Sequence, residues 1–136
     1  MKPSEAGGSK KTPAIHVLGA AGEKHAALFL IEQGFTVIAQ NYRTKLGEID
    51  LIIRQKNTIA FVEVKTRTSH YFHSSLLITP TKQRRIAKAA QQFILENRLH
   101  GDFILRFDTV FVSIKENAVS FEYIPNAFYA PAGEHR

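Results

Sequence analysis

An α/β fold, with a mixed β-sheet flanked by helices in the order helix, three strands, helix, two strands, is predicted by three observations on this sequence. Two segments, 20–33 and 80–97, repeat apolar residues at the helical period. Five others, 35–40, 48–54, 58–65, 103–114 and 119–124, alternate or run apolar at the length of a strand. The link between the second and third strands, Gln55-Lys56-Asn57, is short enough to require an antiparallel hairpin. At 136 residues the chain has the size of one domain, and its 44% hydrophobic and 22% charged residues exclude disorder as a description of the whole.

Residues 1–18 combine Gly7, Gly8, Ser9, Lys10 and Lys11 with two prolines, a composition expected to form a flexible basic arm. A single domain is expected over 19–125, followed by a tail from 126 to 136. The first helix runs from about Ala20 to Gln33 and stops at Gly34, the C-terminal cap. Its apolar stripe passes through Ala27, Leu30 and Ile31, and Glu23, four residues before Ala27, lies on or beside it. Glu23 is therefore either an inward-facing site acid or a carboxylate that stabilises the first turn through the helix dipole. A strand over Phe35 to Gln40 leads into a basic connection, Tyr42 to Leu46. After the central hairpin, residues 66–79 mix cations, hydroxyls and aromatics without a period and read as a loop. Thr79 caps the second helix and Pro80 takes its first position. Ile86, Ala90, Phe93, Ile94 and Asn97 trace its inner stripe, and Lys82, Arg84, Arg85 and Lys88 its opposite side. The last two strands form a hairpin through Glu116 and Asn117.

The two central strands carry ionisable residues within apolar runs. Successive strand side chains point to opposite faces, so Glu48 and Asp50 share one face, as do Glu63 and Lys65. Ile49, Leu51 and Ile53 should lie opposite Asp50, and Ala60, Val62 and Val64 opposite Glu63. Ile52, Ile59 and Phe61 keep even the charged faces largely hydrophobic, the pattern of strands buried on both sides. An uncompensated ion there costs several kcal/mol, so these groups should be paired or bound to a metal. In the hairpin the faces bearing Asp50 and Glu63 can coincide. Two such carboxylates are hard oxygen ligands suited to Mg²⁺ or Mn²⁺, to which the backbone carbonyl of Val64 can add. Lys65 would then lie near the metal, able to orient a water or stabilise charge on a phosphoryl group.

Lys and Arg number 18 against 12 Asp and Glu, a formal charge of +6 that should attract polyanions, nucleic acid foremost. The expected contacts are Arg43 and Lys45, then Arg67 with Tyr71 and Phe72, then Lys82, Arg84, Arg85 and Lys88, with cations on phosphates and aromatics on unpaired bases. The pair His70 and His73 has a His-x-x-His spacing but lacks further ligands nearby, so phosphate or base contact is preferred to zinc. Glu48 is expected to pair with Arg43 or Lys45, and Asp108 to be a buried acid paired with an arginine. The absence of cysteine excludes disulfides and a thiol nucleophile and fits a reducing cytoplasm. No apolar run approaches the roughly 18 residues of a membrane span.

Asp50, thirteen residues before Glu63-Val64-Lys65, and a helical Glu23 ahead of both resemble the PD-(D/E)XK nuclease superfamily, which includes restriction enzymes and Holliday junction resolvases. More closely, Gly22-Glu23 with Ala26, Asn41-Tyr42-Arg43, Gly47 to Ile52 (GEIDLI), Phe61 to Arg67 (FVEVKTR) and Arg106-Phe107-Asp108 resemble the small bacterial YraN-like family. The resemblance covers about residues 18 to 125. It implies a restriction endonuclease-like core, with Asp50 and Glu63 as metal ligands, Lys65 as the catalytic lysine, and Glu23 completing the site directly or through water. Ile49 stands where the superfamily's name records a proline.

The activity implied is a Mg²⁺- or Mn²⁺-dependent endonuclease acting on DNA, on branched recombination or repair intermediates in particular. A symmetric homodimer spacing two sites across a duplex is implied by the junction-resolving relatives. The alternative is a non-catalytic nucleic-acid-binding or assembly module on the same fold.

Overall fold

The computed structural model describes residues 13–67, 78–99 and 101–130, with side chains from residue 18 onward. Seven elements follow in order: α1 (Pro13–Glu32), β1 (Thr36–Arg43), β2 (Glu48–Gln55), β3 (Thr58–Arg67), α2 (Pro80–Glu96), β4 (Ile104–Lys115) and β5 (Ala118–Phe128). The strands form one sheet in the order β1-β2-β3-β4-β5. Neighbours are antiparallel except β3 and β4, which run parallel from Thr58↔Ile104 to Arg67↔Ser113. Parallel neighbours need a long crossover, and α2 lies within it. The mixed sheet and two helices are consistent with a restriction endonuclease-like core, as expected.

Each face of the sheet has its own core. Ala26, Ala27 and Leu30 of α1 pack on Leu51, Ile53, Ala60, Val62, Val110 and Val112. Ile86, Ala89, Ala90 and Phe93 of α2 pack on Ile49, Ile52, Ile59 and Phe61. Central β3 is therefore apolar on both sides, and Ile59 to Glu63 form an unbroken buried run.

The ends of both helices follow local rules. Gly34 takes φ 98°, its N–H donates to the Ile31 carbonyl and the Phe35 N–H to that of Leu30, which closes α1 in a Schellman turn. Thr79 Oγ1 accepts from the Lys82 N–H at 3.2 Å and Pro80 occupies the first turn of α2. In the β4–β5 turn Glu116 and Asn117 both adopt positive φ, 49° and 68°, the conformation of a two-residue hairpin.

Three boundaries differ from expectation. Helix α1 begins at Pro13, so residues 13–18 are helical rather than part of an arm. Gly19 and Gly22 depress helix propensity there, but Gly22 is buried against β3, and a Cβ on it would collide with Thr66 Oγ1. Strand β1 continues through Asn41-Tyr42-Arg43, with Tyr42 and Arg43 pairing with Ile49 and Glu48. Its alternation breaks at Gln40-Asn41, both exposed, with Asn41 at φ 50°, which conceals the extension. Strand β5 continues past Pro125 to Phe128, where the ring of Phe128 stacks on Phe107 at 4.9 Å and is buried. Residues 126–128, expected in a tail, thus belong to β5, and Phe128 belongs to the core. Among the described residues no helix is long and apolar enough to cross a membrane.

Candidate functional site

The main-chain ladder between β2 and β3 runs from Gln55↔Thr58 to Leu51↔Val62 and stops there. Just beyond it the Val64 N–H donates to Asp50 Oδ2 at 2.8 Å. The carboxylate thus receives a donor that a continued ladder would have occupied, and it sits in the fork between the strands. The alternation of β2 breaks at the same place. Leu51 and Ile53 face α1, as expected, but Ile49 packs with Ile52 on the α2 side instead of opposite Asp50. Ile49 and Leu51 stay paired with Tyr42 and Gln40 of β1, and Asn41 between those partners takes φ 50°, so the change of face falls where β1 is irregular and the β3 ladder has ended.

Glu63 lies on the α2 side of β3 and is only 6% exposed. Its Oε2 is 2.7 Å from Lys82 Nζ, on the first turn of α2. That turn is held close to the β1–β2 connection, because Gly47 packs against the backbone carbonyl of Arg85, where a Cβ would collide. Lys65, two residues beyond Glu63, is half-buried on the same side. Glu23 comes from α1, next to the Gly22 that seats the helix on Thr66.

The electrostatics join these groups. Burial, then the charge of Glu63, then that of Glu23 raise the Asp50 carboxyl well above its ordinary range, against the Val64 N–H and Lys82. Asp50 keeps some solvent contact at the mouth of the fork while protein surrounds it on most sides. Burial lowers the Lys65 amine, and Lys82 and Arg67 act in the same direction, whereas Glu63 and Asp50 oppose them. For Lys82 burial favours the neutral amine, but Glu63, Asp50 and Glu48 outweigh it and hold the ammonium charged. Three carboxylates therefore share one field with two lysines.

This donor set suits a hard divalent cation. Asp50 is destabilised as an anion by two neighbouring acids, the environment that a cation would relieve. Among the described residues no three His, Cys, Asp or Glu are grouped as a metal cage. Two carboxylates and a carbonyl, Asp50, Glu63 and Val64, would leave several positions to water, as Mg²⁺ prefers.

The expected cations divide. Arg85 and Lys88 are exposed on α2, and Arg43 and Lys45 are exposed at and after the end of β1. Arg67 is half-buried and its Nη1 donates to the Thr66 carbonyl at 2.7 Å. Lys82 departs from the solvent side to which it was assigned and enters the acidic cluster. The signal was present in the spacing: Lys82 precedes Ile86 by four residues and Ala90 by eight, on the inner stripe. Tyr71, Phe72, His70 and His73 lie outside the described residues.

Two other acids remain. Glu48 lies at the exposed end of β2, opposite Arg43 in the main-chain register, and its charge adds to the field on Lys82. Asp108 is fully buried and accepts from Arg106 Nη2 at 2.9 Å, the Tyr123 hydroxyl at 2.5 Å and the Asn126 N–H at 3.0 Å. The arginine partner was expected; Tyr123 and Asn126 were not, since β5 was expected to end before Asn126.

A sequence model of the Uncharacterised protein family UPF0102 matches residues 22–112, from the glycine beside Glu23 to the middle of β4. The chain's relatives include proteins that carry the name UPF0102 protein. That of Desulfosudis oleivorans is 45% identical over 113 residues, covering 82% of this chain and 89% of its own. The Alkaliphilus oremlandii protein is 42% identical over 113 residues, 82% of this chain and 97% of its own. The Rhodopseudomonas palustris protein is 40% identical over 112 residues, 82% of this chain and 80% of its own. The chain belongs to the UPF0102 family.

Proposed function

For this member of UPF0102 we propose a Mg²⁺- or Mn²⁺-dependent endonuclease that hydrolyses phosphodiester bonds of DNA, with branched recombination or repair intermediates as the favoured substrates. The observation that carries this is the convergence of Asp50, Glu63 and Glu23 in one field with Lys65 beside them, at the fork where the β2–β3 ladder ends. Asp50, Glu63 and the Val64 carbonyl would hold the cation, and Glu23 would complete the site directly or through water. When bound, Mg²⁺ supplies Lewis-acid stabilisation of a phosphoryl oxygen and a more acidic water.

The remaining work falls to the chain. Val64 holds Asp50 in place through its N–H, which keeps the carboxylate aimed into the fork. The lowered pKa of Lys65 suits an amine that exchanges a proton with the attacking water or lends its charge to the phosphoryl group. Arg43, Lys45, Arg67, Arg85 and Lys88 would bind phosphates, with Tyr71 stacking on unpaired bases. A homodimer would set two such sites across a duplex. The cysteine-free composition fits a cytoplasmic setting.

Junction, flap, single-stranded and duplex DNA should be incubated with the protein in Mg²⁺, Mn²⁺ or chelator. Cleavage that needs the cation and is lost in Asp50→Ala and Lys65→Ala supports the proposal. No cleavage by the wild type, or equal cleavage by the variants, would sink it. The second reading, a non-catalytic DNA-binding or assembly module, draws on the Lys82–Glu63 pair, which neutralises a ligand carboxylate without metal. It requires salt-sensitive DNA binding that survives Asp50→Ala and Glu63→Ala, with no cleavage by any form.

A further inference from the structure

We propose that Lys82 is the internal counter-ion of the site, a positioning residue whose ammonium holds the Glu63 carboxylate until a divalent cation displaces it, an assignment that rests on the metal-dependent reading given above. The two partners are unequal. Glu63 is 6% exposed and carried by the central strand, whereas the Lys82 side chain is 46% exposed and reaches in from the first turn of a helix. The lysine is therefore the member free to leave. Its main chain is anchored independently, through the Thr79 cap on its own N–H and Pro80 before it, so the ammonium can withdraw along its four-carbon stem without moving α2.

The field explains why the ammonium stays when no other cation competes. Glu63, Asp50 and Glu48 all favour the charged form of Lys82. A cation held by Asp50 and Glu63 would offset that attraction and add repulsion, because a divalent charge on the Glu63 carboxylate opposes the ammonium beside it. The released ammonium would remain on the solvent side of the site, where a phosphate is the natural next partner. Cation binding and DNA binding would then reinforce each other through one side chain. Lys82 thus differs from Arg85, whose exposed position on α2 makes it available to phosphate throughout.

The test is the affinity for Mn²⁺ alone, measured by titration calorimetry on the full chain in chelator-treated buffer. Lys82→Met should bind Mn²⁺ roughly three- to tenfold more tightly than wild type, the scale of removing one partly exposed competing ion pair. Lys82→Arg, which keeps the charge and the reach, should stay within about twofold of wild type. Arg84→Met removes the same charge from the same turn without touching Glu63; its guanidinium contacts Thr81 instead. It should also stay within about twofold. Affinity that is unchanged or weaker in Lys82→Met overturns the assignment, as does an equal gain in Arg84→Met, which would mark bulk charge as the cause. If neither wild type nor Lys82→Met binds Mn²⁺, this assignment and the metal-dependent reading both fail. A gain in Mn²⁺ affinity in a protein that cuts no DNA keeps the counter-ion and removes the nuclease.

Discussion

The Val64 N–H and the Asp50 carboxylate are joined at 2.8 Å at the point where the β2–β3 ladder has already ended. A side chain has taken over a main-chain donor, and this one substitution creates the fork in which the acids gather. Strand β3 supplies Glu63 and Lys65 on one side of that fork and the Val64 N–H within it. The site is thus a consequence of where strand pairing stops.

Asp50→Asn should make the metal-free protein more stable. The folded-state pKa of Asp50 is raised, so its contribution to stability is present below the ordinary value near 3.8 and is lost as pH rises through the raised value. Wherever that carboxylate is ionised, its charge opposes folding. Asparagine keeps an acceptor for Val64 without the charge, and thermal unfolding at pH 7 without metal should show a Tm about 2–5 °C higher. The variant should lose any Mn²⁺-induced shift. An unaltered or lower Tm in the metal-free state would show that the neighbouring acids exert no such strain.

Lys65→Met should reduce the cleavage rate about 10²- to 10⁴-fold, the range of a lost proton-transfer or charge-stabilising group. Its affinity for uncleaved DNA in chelator should change by less than about threefold, since a single phosphate contact is the most that is lost. Single-turnover kinetics with gel-shift titrations separates the two effects. A loss confined to binding would demote Lys65 to an ordinary phosphate contact.

Gly22→Ala should be destabilising by about 1–3 kcal/mol, because the new methyl group meets Thr66 and α1 must lift from β3. Helix propensity alone predicts the reverse sign, a gain of up to about 1 kcal/mol. Urea denaturation decides between them. Thr66→Ala added to Gly22→Ala should recover part of the loss by removing the hydroxyl and methyl from the contact.

Tyr123→Phe should lower stability by about 1 kcal/mol, and Asp108→Ala by about 3–5 kcal/mol, since the second strands Arg106 beside an apolar core. Neither should alter the metal requirement of cleavage, as this network lies apart from the fork. A change in Mn²⁺ affinity in folded Tyr123→Phe would instead connect it to the site.

Replacing Arg85 or Lys45 by Ala should weaken DNA binding and lower the slope of log K against log salt by about 0.9 per contact removed. Fluorescence anisotropy between low and moderate salt reads this directly. A weakened affinity with an unaltered slope would indicate a contact other than phosphate.

Much of the architecture was written locally. Gly34, Thr79 and Pro80 mark helix ends by their own backbone preferences, and Asn117 marks a hairpin because asparagine tolerates positive φ. The longer reach of α1, β1 and β5 was hidden for a related reason. Glycines, a strand irregularity and Pro125 each carry an unfavourable local preference, and packing against Thr66, pairing with β2 and stacking on Phe107 override it.

For the candidate site, the sequence by itself determined that Asp50, Glu63 and Lys65 are ionisable groups on two buried, adjacent strands, because strand periodicity and a three-residue link leave little freedom. Only the tertiary structure decided that Ile49 turns to the α2 face, that Asp50 binds the Val64 N–H, and that Lys82 reaches Glu63 rather than solvent. Register loss at the end of a ladder and the direction of a long side chain at the rim of a helix stripe depend on what the neighbouring element presents. The alternation within one strand does not contain that information, and the period of one helix places Lys82 on the inner stripe without naming the acid it meets.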